Sequence, residues 1–144
     1  MSYPDPQSQN AIKRVEREHE ELRALIGAIH KSLAERSSRA TIVSKQLNTL
    51  CDKLECHFRM EEEGGFFSQI TDQAPRLSNQ ADKLCEEHGM MLEEARVIAN
   101  KAIRGEWLDV QQAFHEFSKR LMHHEGEENE MLQKAYWEDI GPAD

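Results

Sequence analysis

Val43, Leu47, Leu50, Leu54, His57 and Glu61 follow one another at steps of 4, 3, 4, 3 and 4 residues. That spacing is one face of an α-helix, and the same rhythm recurs in three other stretches. From about Gln9 to Glu35 it runs Ile12, Val15, His19, Leu22, Ile26, Ile29, Leu33. Further on it reads Leu77, Ala81, Leu84, His88, Met91, Ala95, Ile98, Ala102, and then Val110, Phe114, Phe117, Leu121, His124, Glu128, Met131, Ala135. No segment alternates with period two, so the class is all-α. Four stripes with this seam, joined by short connections, predict an antiparallel up-down-up-down four-helix bundle.

The breaks agree with that count. Ser37-Ser38 supply the first turn and an N-cap, and the paired glycines Gly64-Gly65 end or distort the second helix. Phe66, Phe67 and Ile70 read as a half-buried turn before a Thr71–Pro75 loop. Gly105 is placed to cap the third helix, and Gly141-Pro142 close the fourth. Residues 1–8, polar and proline-containing, are expected to form a disordered tail, with the bundle spanning residues 9–140.

A chain of 144 residues is one domain with room for a substantial core. Its net charge of −9 and pI of about 5.3 argue against nucleic acid or an anionic membrane surface as partner. No apolar run is long enough to span a bilayer. The start lacks a basic region followed by an apolar one, so a cytoplasmic protein is expected, as a monomer or weak dimer. Cys51, Cys56 and Cys85 are odd in number and contain no C-x-x-C, which suits reduced thiols packed as small apolar side chains.

Six seam positions are ionisable: His19, His57, Glu61, His88, His124 and Glu128. The remaining histidines, His30, His115 and His123, fall off the stripes. His19 lies about 17 residues before the first turn and His57 about 18 after it, so the two are level. His88 and His124 stand about 16 and 18 residues from the Gly105 turn, and are level too. Four imidazoles and two carboxylates therefore share one layer of the core. Each buried, unpaired ion costs several kcal/mol, against a total domain stability of about 5–15 kcal/mol. Cations at the centre remove that cost. Of the acidic runs, only Glu61 and Glu128 are in phase; Glu125, Glu127 and Glu130 read as a solvated face.

Imidazole with carboxylate suits iron, manganese or zinc better than copper. Six donors exceed one tetrahedral zinc and fit two octahedral ions bridged by the glutamates. A ferritin-like centre needs a pair of Glu-x-x-His motifs, and only Glu16-x-x-His19 is present. Arg23 and Glu128 stand where a zinc protease would need its second histidine.

Taken together, His19, His57-x-x-x-Glu61, Glu87-His88 and His124-x-x-x-Glu128 make the chain resemble the hemerythrin-like HHE cation-binding family, over nearly all of residues 10–138. The resemblance implies a non-haem di-iron centre, oxo- or hydroxo-bridged. Its terminal ligands would be His19, His57, His88 and His124, its bridges Glu61 and Glu128, and dioxygen would bind at an open iron position. The oxygen-carrying branch has a second histidine one turn from the third-helix ligand, where this chain has Leu84 and Leu92. Its last carboxylate is an aspartate five residues after the histidine, where this chain has Asn129, the acid being Glu128. Two octahedral ions offer 12 positions, and six such ligands plus a bridging oxide fill about 10. The two open positions imply water, a substrate, or an extra ligand such as Glu62 or Glu127.

Three functions are expected of such a chain. It binds dioxygen or a similar diatomic for storage, delivery or sensing, with azide, peroxide and nitric oxide as related small ligands. It is an enzyme that reduces peroxide or nitric oxide with external electrons. Or it is an iron-responsive module whose folding is read by a partner. The first accords best with an isolated domain that carries no flavin or rubredoxin-like segment.

Overall fold

The seam residues form long helices because nothing in them breaks the backbone pattern for 24 to 29 residues at a time. The computed structural model describes residues 6–35 and 40–138. Helix α1 spans Pro6–Ala34, α2 Ala40–Glu63, α3 Phe66–Gln73, α4 Ser78–Ile103 and α5 Trp107–Gln133. A wider helical turn, Lys134–Glu138, extends α5. The Ser37-Ser38 turn, Gly141-Pro142 and residues 1–5 of the expected tail lie outside the described residues. Residues 6–8 of that tail are helical: α1 starts at Pro6 rather than near Gln9. Proline suits a first helical position, where its missing N–H would have no intrahelical partner.

Helix α1 packs on α2, α2 on α4, α4 on α5, and α5 closes the ring against α1. This is the expected antiparallel four-helix bundle. Every residue of the four stripes is buried apart from Leu33, which is half-buried. The core falls into two apolar clusters. One gathers Leu22, Ile26, Leu50, Leu54, Met91, Phe114, Phe117 and Leu121. The other gathers Ile12, Val15, Phe66, Phe67, Ile70, Leu84 and Met131. His19, His88, His124 and Glu128 lie between the two clusters in sequence, and His57 and Glu61 sit where α2 passes from one to the other, so these six side chains form a layer across the bundle.

Two connections decide how that layer is enclosed. Gly64 donates its N–H to the Met60 carbonyl (2.8 Å), and Gly65 then takes φ 102° and turns the chain. In place of the expected half-buried turn comes α3, an eight-residue helix with Phe66, Phe67 and Ile70 all buried. It extends through most of the expected Thr71–Pro75 loop. At the far end Gly105 (φ 74°) ends α4. Its N–H bonds the Ala102 carbonyl at 3.0 Å, and that of Glu106 bonds the Lys101 carbonyl at 3.1 Å. This is the paired C-terminal closure that glycine favours.

The cysteines only partly follow expectation. Cys51 and Cys85 are half-buried, whereas Cys56 is exposed, because it sits one residue out of phase with the seam. Its neighbour His57 points inward, so the thiol points away.

Gly65→Ala should cost about 1 kcal/mol, since a Cβ is strained in the left-handed region. Gly27→Ala should add about 1 kcal/mol, because a Cβ there meets nothing within 4 Å on a helical stretch. Urea midpoints of the two variants should therefore move in opposite directions; a common direction would contradict the assigned turn.

Candidate metal centre

Each long helix contributes one histidine to the layer, and α2 and α5 add a glutamate one turn further along. All six side chains are buried, Glu61 and Glu128 completely. His19 Nε2 lies 3.0 Å from Glu128 Oε1 and 3.5 Å from Glu61 Oε2, and His57 Nε2 lies 3.2 Å from Glu61 Oε2. On the other side His88 Nε2 is 3.0 Å from Glu61 Oε1 and 3.5 Å from Glu128 Oε2, while His124 Nε2 is 2.9 Å from Glu128 Oε2. Two donor groups result, His19–His57–Glu61–Glu128 and Glu61–His88–His124–Glu128, each with its atoms within 4.8 Å of one another. Both carboxylates belong to both groups.

The outer faces of the rings explain why the inner ones converge. His57 Nδ1–H donates to Glu18 Oε1 (2.8 Å), His88 Nδ1–H to Glu62 Oε2 (2.5 Å) and His124 Nδ1–H to Glu87 Oε1 (2.7 Å). With its proton on Nδ1, a neutral imidazole presents a bare lone pair at Nε2. Lone pairs on nitrogen then face lone pairs on carboxylate oxygens across the centre. Nε2 of His57 and His88 and both oxygens of Glu61 are buried without a hydrogen-bond partner, although opposing atoms stand 3.0 to 3.5 Å away. Either extra protons or a cation must lie between them.

Without a cation, protons fill that role. Burial opposes charge on His19, but Glu128 and Glu61 outweigh it and hold the imidazole at about 10. His88 is held at about 10 in the same way, burial being overcome by Glu128, Glu61 and Glu62. His57 and His124 are raised too, their carboxylate neighbours again prevailing over burial. Glu128 is kept well below the usual carboxylate range: burial pushes it up, and His124, His19 and His88 more than reverse this.

An unoccupied proton site on imidazole and an ionised carboxylate are what a metal requires, so this donor set fits a pair of cations. A family model for the hemerythrin HHE cation-binding domain matches residues 10–136. The chain belongs to the hemerythrin family. No curated protein and no solved structure matches it significantly. As a hemerythrin HHE domain it is a cation-binding protein, and its His/Glu clusters are the candidate place for the metal. Among the described residues no helix is long and apolar enough to cross a membrane.

The six expected residues come together; the two suggested extra ligands do not join them. Glu62 is spent on the outer nitrogen of His88. Glu127 lies against Lys83 (3.6 Å) and His123 (3.3 Å). His115 and His123 are exposed, and His30 pairs with Ser118 Oγ at 2.9 Å, away from the layer.

Other members of this hemerythrin site escape a reading of the seam alone. Phe58 stacks on His88 with ring centroids 4.0 Å apart and planes 9° apart, and Phe67 lies at 5.7 Å. Glu125 is buried at 2 % exposure rather than solvated. Burial pushes its carboxyl up to about 7, partly offset by His19, His57 and Arg23. The signal for it was a stripe on α5 wider than the seam, in which Ser118, Glu125 and Leu132 are buried at seven-residue spacing.

Glu87→Gln should weaken cation affinity about 10–100-fold, as loss of an outer partner does, whereas exposed Glu130→Gln should leave it unchanged; competition with a chelator measures both. The raised imidazoles give the metal-free protein stability that is complete below about 6.5 and lost as pH rises toward about 10. The lowered Glu128 adds stability present above 4.5 and lost as pH falls. The melting temperature in chelator should therefore decline on going from pH 6.5 to 10, and a bound cation should abolish that decline.

Proposed function

We propose that the chain is a non-haem di-iron protein that binds dioxygen or a related small diatomic, for storage, delivery or sensing. In this reading His19, His57, His88 and His124 are terminal ligands and Glu61 and Glu128 are bridges. The observation that carries it is the sharing of both carboxylates between two donor groups, an arrangement suited to two ions side by side rather than one. Imidazole and carboxylate donors without a thiolate favour iron or manganese over copper.

Bound irons would supply redox-active positions at which a small ligand can be held. The chain's own groups do the rest. Glu18, Glu62 and Glu87 hold three imidazoles by their outer nitrogens. Phe58 fixes the plane of His88 and, with Phe67, keeps water from that side. The apolar clusters above and below seal the layer along the bundle axis.

One observation favours a second reading, reduction of peroxide or nitric oxide by external electrons. A cleft of about 790 Å³, lined by Glu16, His19, Glu20, Arg23 and Asn129 among others, adjoins the centre at α1, with the His19 side chain buried at its inner wall.

Metal analysis after iron-replete expression should find about two irons per chain. His57→Ala or Glu61→Ala should lose at least one, and His30→Ala and His115→Ala should retain both. The absorption spectrum should change on oxygenation and revert on removal of oxygen. One zinc per chain, or no metal, would contradict the proposal; steady consumption of peroxide with a supplied reductant would favour the enzyme.

A further inference from the structure

A histidine outside the central layer is oriented by the same kind of hydrogen bonding as the ones within it. His30 lies eleven residues along α1 from His19, about 16 Å further up the bundle. Its ring is half-buried and stands edge-on to Phe114 of α5, with centroids 4.8 Å apart. Nε2 lies 2.9 Å from the Oγ of buried Ser118, and that Oγ lies 2.6 Å from the Phe114 carbonyl. A carbonyl only accepts, so the serine hydroxyl gives its one proton there. It therefore accepts from His30. The imidazole is the Nε2–H tautomer, and the bare lone pair sits on Nδ1, which has no hydrogen-bond partner among the described residues.

A second imidazole is within reach of it. His115 follows Phe114 on α5 and is exposed, and its ring centroid lies 6.2 Å from that of His30, with the planes at 73°. Two imidazoles on one ion, each nitrogen about 2.0–2.1 Å from it, have ring centres roughly 5–6 Å apart. The observed separation is at the upper end of that span, and rotation of the exposed ring to another rotamer closes the difference. Burial pushes the His30 imidazole below its usual range, and the charge of a protonated His115 pushes the same way. His30 is thus neutral at neutral pH, as a metal ligand has to be.

We propose that Nδ1 of His30 and the ring of His115 together bind one late divalent transition ion (copper, nickel or zinc) as a clip across the seam between α1 and α5. Water completes its coordination. Imidazole donors suit these ions, and all three stand above ferrous iron in affinity for such a site, so the clip does not draw on iron meant for the central layer. Of the four neighbouring pairs of long helices, α1 and α5 are the most loosely joined. Beside the clip, Gln111 Nε2–H donates to the Leu33 carbonyl across the same seam at 2.8 Å. The site shares no residue with the six-ligand centre and stands whether or not that centre holds two ions.

Nickel titrated into the purified protein by calorimetry is the probe. Whatever the central layer takes up, His115→Ala should bind one equivalent fewer than the wild type, and His30→Gln likewise. Because His115 is exposed, the metal-free His115→Ala variant should melt with the wild type, yet gain less on addition of nickel. Ser118→Ala removes the group that orients His30, and should weaken the same equivalent about 10–100-fold. His123 is the control, an exposed histidine on α5 with Glu127 one turn away at 3.3 Å; His123→Ala should bind the full wild-type complement. Equal stoichiometry in the wild type and His115→Ala would overturn the proposal. So would equal loss in His123→Ala, which would show that surface histidines take nickel without a built site, and so would wild-type affinity in Ser118→Ala.

Discussion

The bundle is organised by the electrostatics of one layer. Glu61 and Glu128 are completely buried at its centre, and four imidazoles ring them. Removing a carboxylate from water costs several kcal/mol even after relaxation, and the whole domain has only about 5–15 kcal/mol to lose. Such a layer persists only if positive charge stands between the donor atoms, as protons on the imidazoles or as metal. The apolar clusters on either side stabilise the helices that carry it, and they also deny water to the charges, which makes the demand for a cation stronger.

The outer carboxylates turn this demand into geometry, because they set which nitrogen of each ring faces inward. Glu18 on α1 serves His57 on α2, Glu62 on α2 serves His88 on α4, and Glu87 on α4 serves His124 on α5. Helices α1, α2 and α4 thus each orient the ligand of the next helix around the ring. Each of these glutamates is next in sequence to a seam residue: Glu18 to His19, Glu62 to Glu61, Glu87 to His88. A helix therefore presents a ligand from one position and an orienting group for its neighbour from the adjacent one. His19 alone lacks a carboxylate on its outer nitrogen among the described residues.

Much of this is legible in the sequence because the seam carries both fold and site. Steps of 4 and 3 place His57 and Glu61 in line with Leu50 and Leu54, and counting from the turns puts the four histidines at one height. The features that escape depend on information that periodicity lacks. Assigning Glu62 to His88 requires knowing which helices are neighbours. Glu125 reads as solvated because a two-residue seam is narrower than the buried face of α5, which also takes in Ser118 and Leu132. Cys56 is expected inside, although its position next to His57 turns outward. The Phe66–Gln73 helix looks like a turn because eight residues after a glycine are too few to display a period.

The proposed function depends on two metal ions occupying the centre, each between a pair of imidazoles and both between the same two glutamates. Anomalous diffraction at the iron edge, from crystals of the protein grown without added metal, tests this most directly. Two peaks per chain are predicted, one between Nε2 of His19 and His57 and one between Nε2 of His88 and His124, both flanked by Glu61 and Glu128. A single peak, peaks elsewhere, or none would contradict it.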